Sequence, residues 1–89
     1  MSYTLKIGAT AKREFRRLPL EIRERIRTVI DSLAEEPRPR GAKKLTYPSN
    51  AYRVRIGKYR VVYTILERGR EVRIIAIGHR RDVYRLSEG

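Results

Sequence analysis

Tyr52-Arg53-Val54-Arg55-Ile56-Gly57-Lys58-Tyr59-Arg60-Val61-Val62-Tyr63 reads as two strands joined by a turn. Tyr52, Val54 and Ile56 alternate with Arg53 and Arg55, the period-2 pattern of a half-buried strand. Gly57-Lys58 is a Gly-X pair of the kind that closes a two-residue hairpin. A two-residue loop puts Ile56 opposite Tyr59, so Arg55 lies across from Arg60 and Arg53 across from Val62. Successive side chains point to opposite faces, and the arginines therefore share one face while Tyr52, Val54, Ile56, Tyr59, Val61 and Tyr63 share the other. The apolar face needs a cover of helices, and the basic face is the one left open.

Upstream, Tyr3, Leu5 and Ile7 alternate with Thr4 and Lys6 as a short strand that Gly8 interrupts. Thr10 is the expected N-cap of a helix running to about Leu18, with Ala11, Phe15 and Leu18 on one stripe. Pro19 stops it and begins a second helix striped by Ile22, Ile26, Val29, Ile30 and Leu33, with Glu21 and Arg25 spaced as an i, i+4 pair. The two prolines of Glu36-Pro37-Arg38-Pro39-Arg40-Gly41 make that segment a loop. Downstream, Glu67-Arg68-Gly69-Arg70 is a second turn, leading into Val72 to Ile77, a run apolar enough for a central strand. The expected fold is α+β: strand-helix-helix followed by an antiparallel three-strand meander, with both helices packed on one face of the sheet. Residues 1–89 are read as one domain. A turn centred on Arg68-Gly69 would set Arg60 opposite Ile77 and bring His79 to the arginine face.

The chain has 22 Lys+Arg against 10 Asp+Glu, a formal net charge of +12, and 17 of the 22 are arginine. That balance is the footprint of a protein that meets a polyanion, and the guanidinium fork matches phosphate oxygens bidentately. With no cysteine and one histidine, neither a disulfide frame nor a cysteine/histidine metal site is available, so no metal and no cofactor is expected. No apolar run is long enough to span a membrane and the N-terminal segment has no signal-peptide pattern, which makes the expectation a cytoplasmic protein with no membrane partner.

Arg55 directly across from Arg60 is a like-charge pair that costs a few tenths to about 1 kcal/mol. A nucleic-acid phosphate or an acidic partner protein would compensate; splaying into water is the plain alternative. The segment after the last strand, Gly78-His79-Arg80-Arg81-Asp82-Val83-Tyr84, adds an aromatic that can stack on an unpaired base.

Taken together, Lys44-Leu45, the stretch Tyr52 to Tyr63 and the stretch Ile77 to Tyr84 resemble the RelE/ParE superfamily of bacterial and archaeal toxin–antitoxin toxins, over essentially the whole chain. The two longer motifs are specific together and weak apart. The resemblance implies the toxin of a type II system, a ribosome-dependent endoribonuclease that cuts messenger RNA in the ribosomal A site and inhibits translation. It also implies a cognate acidic, RelB-like antitoxin, with the ribosome and its messenger as further partners. Such toxins use the 2′-hydroxyl as nucleophile and leave a 2′,3′-cyclic phosphate and a 5′-hydroxyl. Carried over by motif, Arg53 and Arg55 take the two basic positions of the second strand where the best-known members have lysine. Arg60 matches the arginine of the third strand, Arg80 the arginine after the Gly-His step, and Tyr84 the closing tyrosine. Lys43, Lys44 and Arg81 are the expected flanking RNA contacts.

Arginine keeps its proton, so Arg53 and Arg55 can stabilise a pentacoordinate phosphate but are poor general bases. The candidates for the base are His79, the one side chain with an ordinary pKa near 6.5, Tyr84 and solvent, with mostly electrostatic catalysis as the further alternative. Two other functions fit the same chain: a ParE-like poison of DNA gyrase, and a non-catalytic basic module bound to RNA or the ribosome.

Overall fold

The computed structural model describes residues 2–46 and 50–79. The elements are β1 (Thr4–Ile7), α1 (Ala9–Arg16), α2 (Leu20–Leu33), β2 (Lys43–Lys44), β3 (Ala51–Ile56), β4 (Tyr59–Leu66) and β5 (Glu71–His79). The strands form one sheet in the order β1-β5-β4-β3-β2. The expected meander β3-β4-β5 is its centre, β1 joins β5 in parallel, and the two-residue β2 joins β3 antiparallel. A parallel pair needs a long crossover, which the two helices help to provide.

Both helices lie on one face, as the stripes require. Ala11, Ile26, Ile30 and Leu33 pack against Val54, Ile56, Val61, Tyr63, Ile65, Val72, Ile74 and Ile77. Ile26 and Leu33 are fully buried, and truncating either to alanine would cost roughly 2–5 kcal/mol. The N-cap of α1 is Gly8, not Thr10. The chain leaves β1 hard against β5: Gly8 N–H donates to the Ile74 carbonyl at 2.9 Å, and a Cβ on Gly8 would lie 3.3 Å from that oxygen. The close approach selects glycine and starts the helix at once, ahead of the threonine.

The Gly57-Lys58 turn is as expected. Ile56 pairs with Tyr59, and Gly57 has φ +60° while Lys58 does not enter the positive range, the II′ pattern. The second connection holds four residues between the pair Leu66–Glu71, and Arg70, not Gly69, takes the left-handed backbone at φ 49°. That conformation costs a non-glycine residue roughly 1–2 kcal/mol. The Arg70 guanidinium lies 4.9 Å from the Tyr3 ring centroid, a cation–π contact that offsets part of the cost.

One bulge changes the outcome at the end of β5. From the turn, Leu66 to Tyr63 pair with Glu71 to Ile74; then Val62 pairs with Ala76, leaving Ile75 as an extra residue. Because side chains alternate with period 2, one inserted residue exchanges the faces of everything after it. Ile77 is in the helix-side core, 1% exposed, and Gly78 takes the place opposite Arg60. His79 pairs with Tyr59 and lies on the helix side, with the two rings edge-on at 6.1 Å. The expectation that His79 joins the arginine face is therefore corrected.

Candidate nucleic-acid interface

Two files of side chains cross the open face. The first runs Lys43, Arg53, Val62, Ala76, and the second Arg55, Arg60, Gly78. Arg55 faces Arg60 and Arg53 faces Val62, as the hairpin register requires. Lys43 joins Arg53 through the short β2, whereas Lys44 pairs with Tyr52 and so belongs to the opposite face at the sheet edge. Arg80, Arg81 and Tyr84 lie outside the described residues.

Arg55 and Lys43 are exposed and Arg53 is half-buried. Arg60 belongs to this face but is only 2% exposed, so it is built into the sheet layer rather than projecting from it. The far part of the first file is an apolar floor: Val62 and Ala76 are buried, with Leu45 and half-buried Ile75 packed against them. Cations beside such a floor are less screened than in open water, which strengthens their pull on an anion.

The side chains of Lys43, Arg53 and Arg55 make no hydrogen bond or ion pair among the described residues. The arginines at the other end of the sheet are engaged. Arg38 bonds both the Glu67 carboxylate, at 2.6 Å, and the Tyr52 hydroxyl, at 3.0 Å, and its guanidinium lies 5.4 Å from the Tyr52 ring centroid. The Tyr3 hydroxyl donates to the second oxygen of Glu67 at 2.8 Å, and Arg73 pairs with Glu71. Arg38 above all, and then Tyr3, hold the Glu67 carboxyl below its usual range. The buried Tyr63 hydroxyl donates to the Pro37 carbonyl at 2.7 Å, and burial, followed by the neighbouring Tyr52, pushes its pKa up to about 12. These bonds tie the Pro37–Arg38 loop to the sheet just before β2, which sets the position from which Lys43 meets Arg53.

Glu14 on α1 accepts from the Ile77 N–H at 2.8 Å, on the stretch of β5 beyond its pairing with β1. It satisfies a donor at a strand edge and holds the end of β5 to the helix layer.

At the β3–β4 turn, Arg25, Thr28 and Val29 of α2 and Arg55, Ile56 and Gly57 line a cleft of about 450 Å³. Arg25 does not pair with Glu21; its two terminal nitrogens lie 3.9 Å from where a Gly57 Cβ would stand. Reading the sequence alone assigns Arg25 to the helix flank. The signal for its placement is the glycine of the turn, whose missing side chain leaves space.

The site and its scaffold make a small α+β protein, a five-stranded sheet backed by two helices with a cationic open face. The structure of a RelE–RelB complex from Pyrococcus horikoshii is similar, with a TM-score of 0.80 and 29% identity, covering 90% of this chain and 97% of that one. Toxin RelG of Mycobacterium tuberculosis is 30% identical over 86 residues, 96% of this chain and 99% of the relative. The putative toxin RelE1 of Methanocaldococcus jannaschii is 30% identical over 88 residues, 96% of this chain and 98% of the relative. Residues 5–84 match the ParE toxin of type II toxin–antitoxin systems (parDE), and the chain belongs to that family, within the RelE/ParE toxin superfamily. Among the described residues no helix is long and apolar enough to cross a membrane.

Proposed function

We propose that this toxin is a ribosome-dependent endoribonuclease that cuts messenger RNA in the A site, and that an acidic RelB-like antitoxin silences it. The observation that carries the reading is the pairing of Arg55 with Arg60 beside Arg53 and Lys43, cations held on one sheet face without a carboxylate in either file. A phosphate placed between directly opposed like charges offsets their repulsion. In the reaction the 2′-oxygen attacks the adjacent phosphorus, the bond to the 5′-oxygen breaks, and a 2′,3′-cyclic phosphate and a 5′-hydroxyl result. The 2′-hydroxyl proton passes to a base and the leaving oxygen gains one. Arg53, Arg55 and Arg60 stabilise the added negative charge at phosphorus and do not carry that proton. His79 sits across the sheet from them, so the base is sought in solvent, the RNA or Tyr84. The antitoxin reading is supported by the RelE of P. horikoshii, whose structure is that of a complex with RelB.

The match to the ParE family favours a second reading, poisoning of DNA gyrase. A translating extract analysed by primer extension, run beside a gyrase supercoiling assay, separates them. New messenger ends that depend on active translation, with supercoiling unaffected, are expected; blocked supercoiling with intact messenger overturns the nuclease reading.

A further inference from the structure

The cleft between α2 and the β3–β4 turn receives guanidinium groups from two elements. Arg55 belongs both to the open-face file and to the cleft wall, so the cationic surface continues around the end of the sheet. Arg25 reaches the cleft from α2 and lies beside Gly57, the one turn position with a positive φ and no side chain to exclude it. Among the described residues no Asp or Glu lines the cleft, and neither guanidinium group has a hydrogen bond or ion pair. The Thr28 hydroxyl already donates to the Glu24 carbonyl at 3.1 Å, so the side-chain donors left are guanidinium N–H groups. Val29 and Ile56 supply an apolar wall. Two guanidinium forks lining one cleft suit the free oxygens of a phosphodiester, and the volume takes a phosphate with its ribose where a single carboxylate would leave most of it empty.

We propose that this cleft is a second phosphate subsite, in which Arg25 and Arg55 together hold a backbone phosphate of an RNA strand that continues onto the Arg53–Arg60 face. The proposal rests on the RNA-cutting reading and assigns the strand its path around the turn. It is tested by the affinity of a mixed-sequence single-stranded RNA oligonucleotide across a salt series, for wild type, Arg25→Gln, Arg55→Gln, the double variant, and Arg68→Gln at the far end of the sheet as a charge-matched control. Each phosphate neutralised on a single strand contributes about 0.7 to the slope of log K against log salt, so Arg25→Gln should lower that slope by part of this amount and the double variant by at least about 0.7, while Arg68→Gln leaves it unchanged. Because both arginines hold one phosphate, the double variant should lose less affinity than the product of the single losses. Equal slopes for Arg25→Gln and Arg68→Gln, or no RNA binding by wild type, overturn the subsite. So does an Arg25→Gln variant that loses affinity for a poly-glutamate peptide but not for RNA, which would assign the cleft to an acidic protein. Wild type that fails to cut translated messenger while the slope change persists sinks the nuclease reading and leaves the subsite standing. Normal cutting with an unchanged slope does the reverse.

Discussion

At the end of the sheet where β4 turns into β5, Arg38, Arg70 and Arg73 are each matched to a carboxylate or an aromatic ring of the same chain. At the end where β3 turns into β4, Arg25 and Arg55 have no such match among the described residues, and Arg53 behind them has none either. The residue type is the same and its use differs. A guanidinium bonded to Glu67 and Tyr52 holds a loop in place, whereas those of Arg25, Arg53 and Arg55 make no such contact among the described residues. The contrast separates charges tied into the fold from charges that have no such tie among the described residues, something the net charge of +12 conceals.

The largest effect expected from this contrast is on cleavage. Arg53→Gln and Arg55→Gln together should slow single-turnover cutting on programmed ribosomes roughly 100–1000-fold, as the loss of preorganised donors to a transition state does. The melting temperature should hold or rise slightly, since a like-charge pair is relieved; a rate within tenfold of wild type would break the contrast.

Smaller effects belong to the tied end. Tyr63→Phe removes the hydroxyl that bonds Pro37 and should cost roughly 1–2 kcal/mol. A domain of this size shows that as about 4–8 °C of melting temperature per kcal/mol, with cutting little changed at a temperature where the fold is intact. Wild type should also lose stability as pH rises from about 10 to 12. The folded chain holds the Tyr63 proton up to about 12 while the unfolded chain releases it near the ordinary tyrosine value of 10, so deprotonation favours unfolding across that window. A melting temperature that is flat over that interval, or lowered equally in Tyr63→Phe, would remove the buried hydroxyl as the cause.

The smallest expected effect is at His79. Beside Tyr59 on the helix side it is away from the arginines, and His79→Gln should cut within about threefold of wild type, far from the 100–10,000-fold that a general base supplies. A loss of that size with a flattened acidic limb in the pH profile would show that the histidine reaches the reacting phosphate after all.

The course of the hairpin was legible because a Gly-X turn of two residues leaves one register open to it, and the arginines alternate with residues that must be buried. The helix stripes were legible for the same periodic reason. His79 was misplaced because Ile74-Ile75-Ala76-Ile77 has no polar residue to mark which member is the bulge, and one unseen insertion reverses every later side chain. The faces of Lys43 and Lys44 were not legible, because a two-residue strand carries no alternation of its own; they are set by pairing with Arg53 and Tyr52. The placement of Arg25 depends on Gly57, distant in sequence, and neither residue signals the other. The burial of Arg60 likewise follows from its position in the middle of a sheet whose edge strands, β1 and β2, were not both foreseen.

The central claim is that arginines at the two ends of one sheet do separate work, and one paired measurement addresses it. Arg38→Gln and Arg55→Gln change the net charge equally, so each is assayed for melting temperature and for single-turnover cutting of messenger on programmed ribosomes. The account predicts a crossed result: Arg38→Gln melts at a lower temperature and cuts at the wild-type rate once folded, while Arg55→Gln melts no lower and cuts far more slowly. If both variants lose stability and activity in the same proportion, or if Arg38→Gln is the slower cutter, the division between structural and functional arginines is wrong.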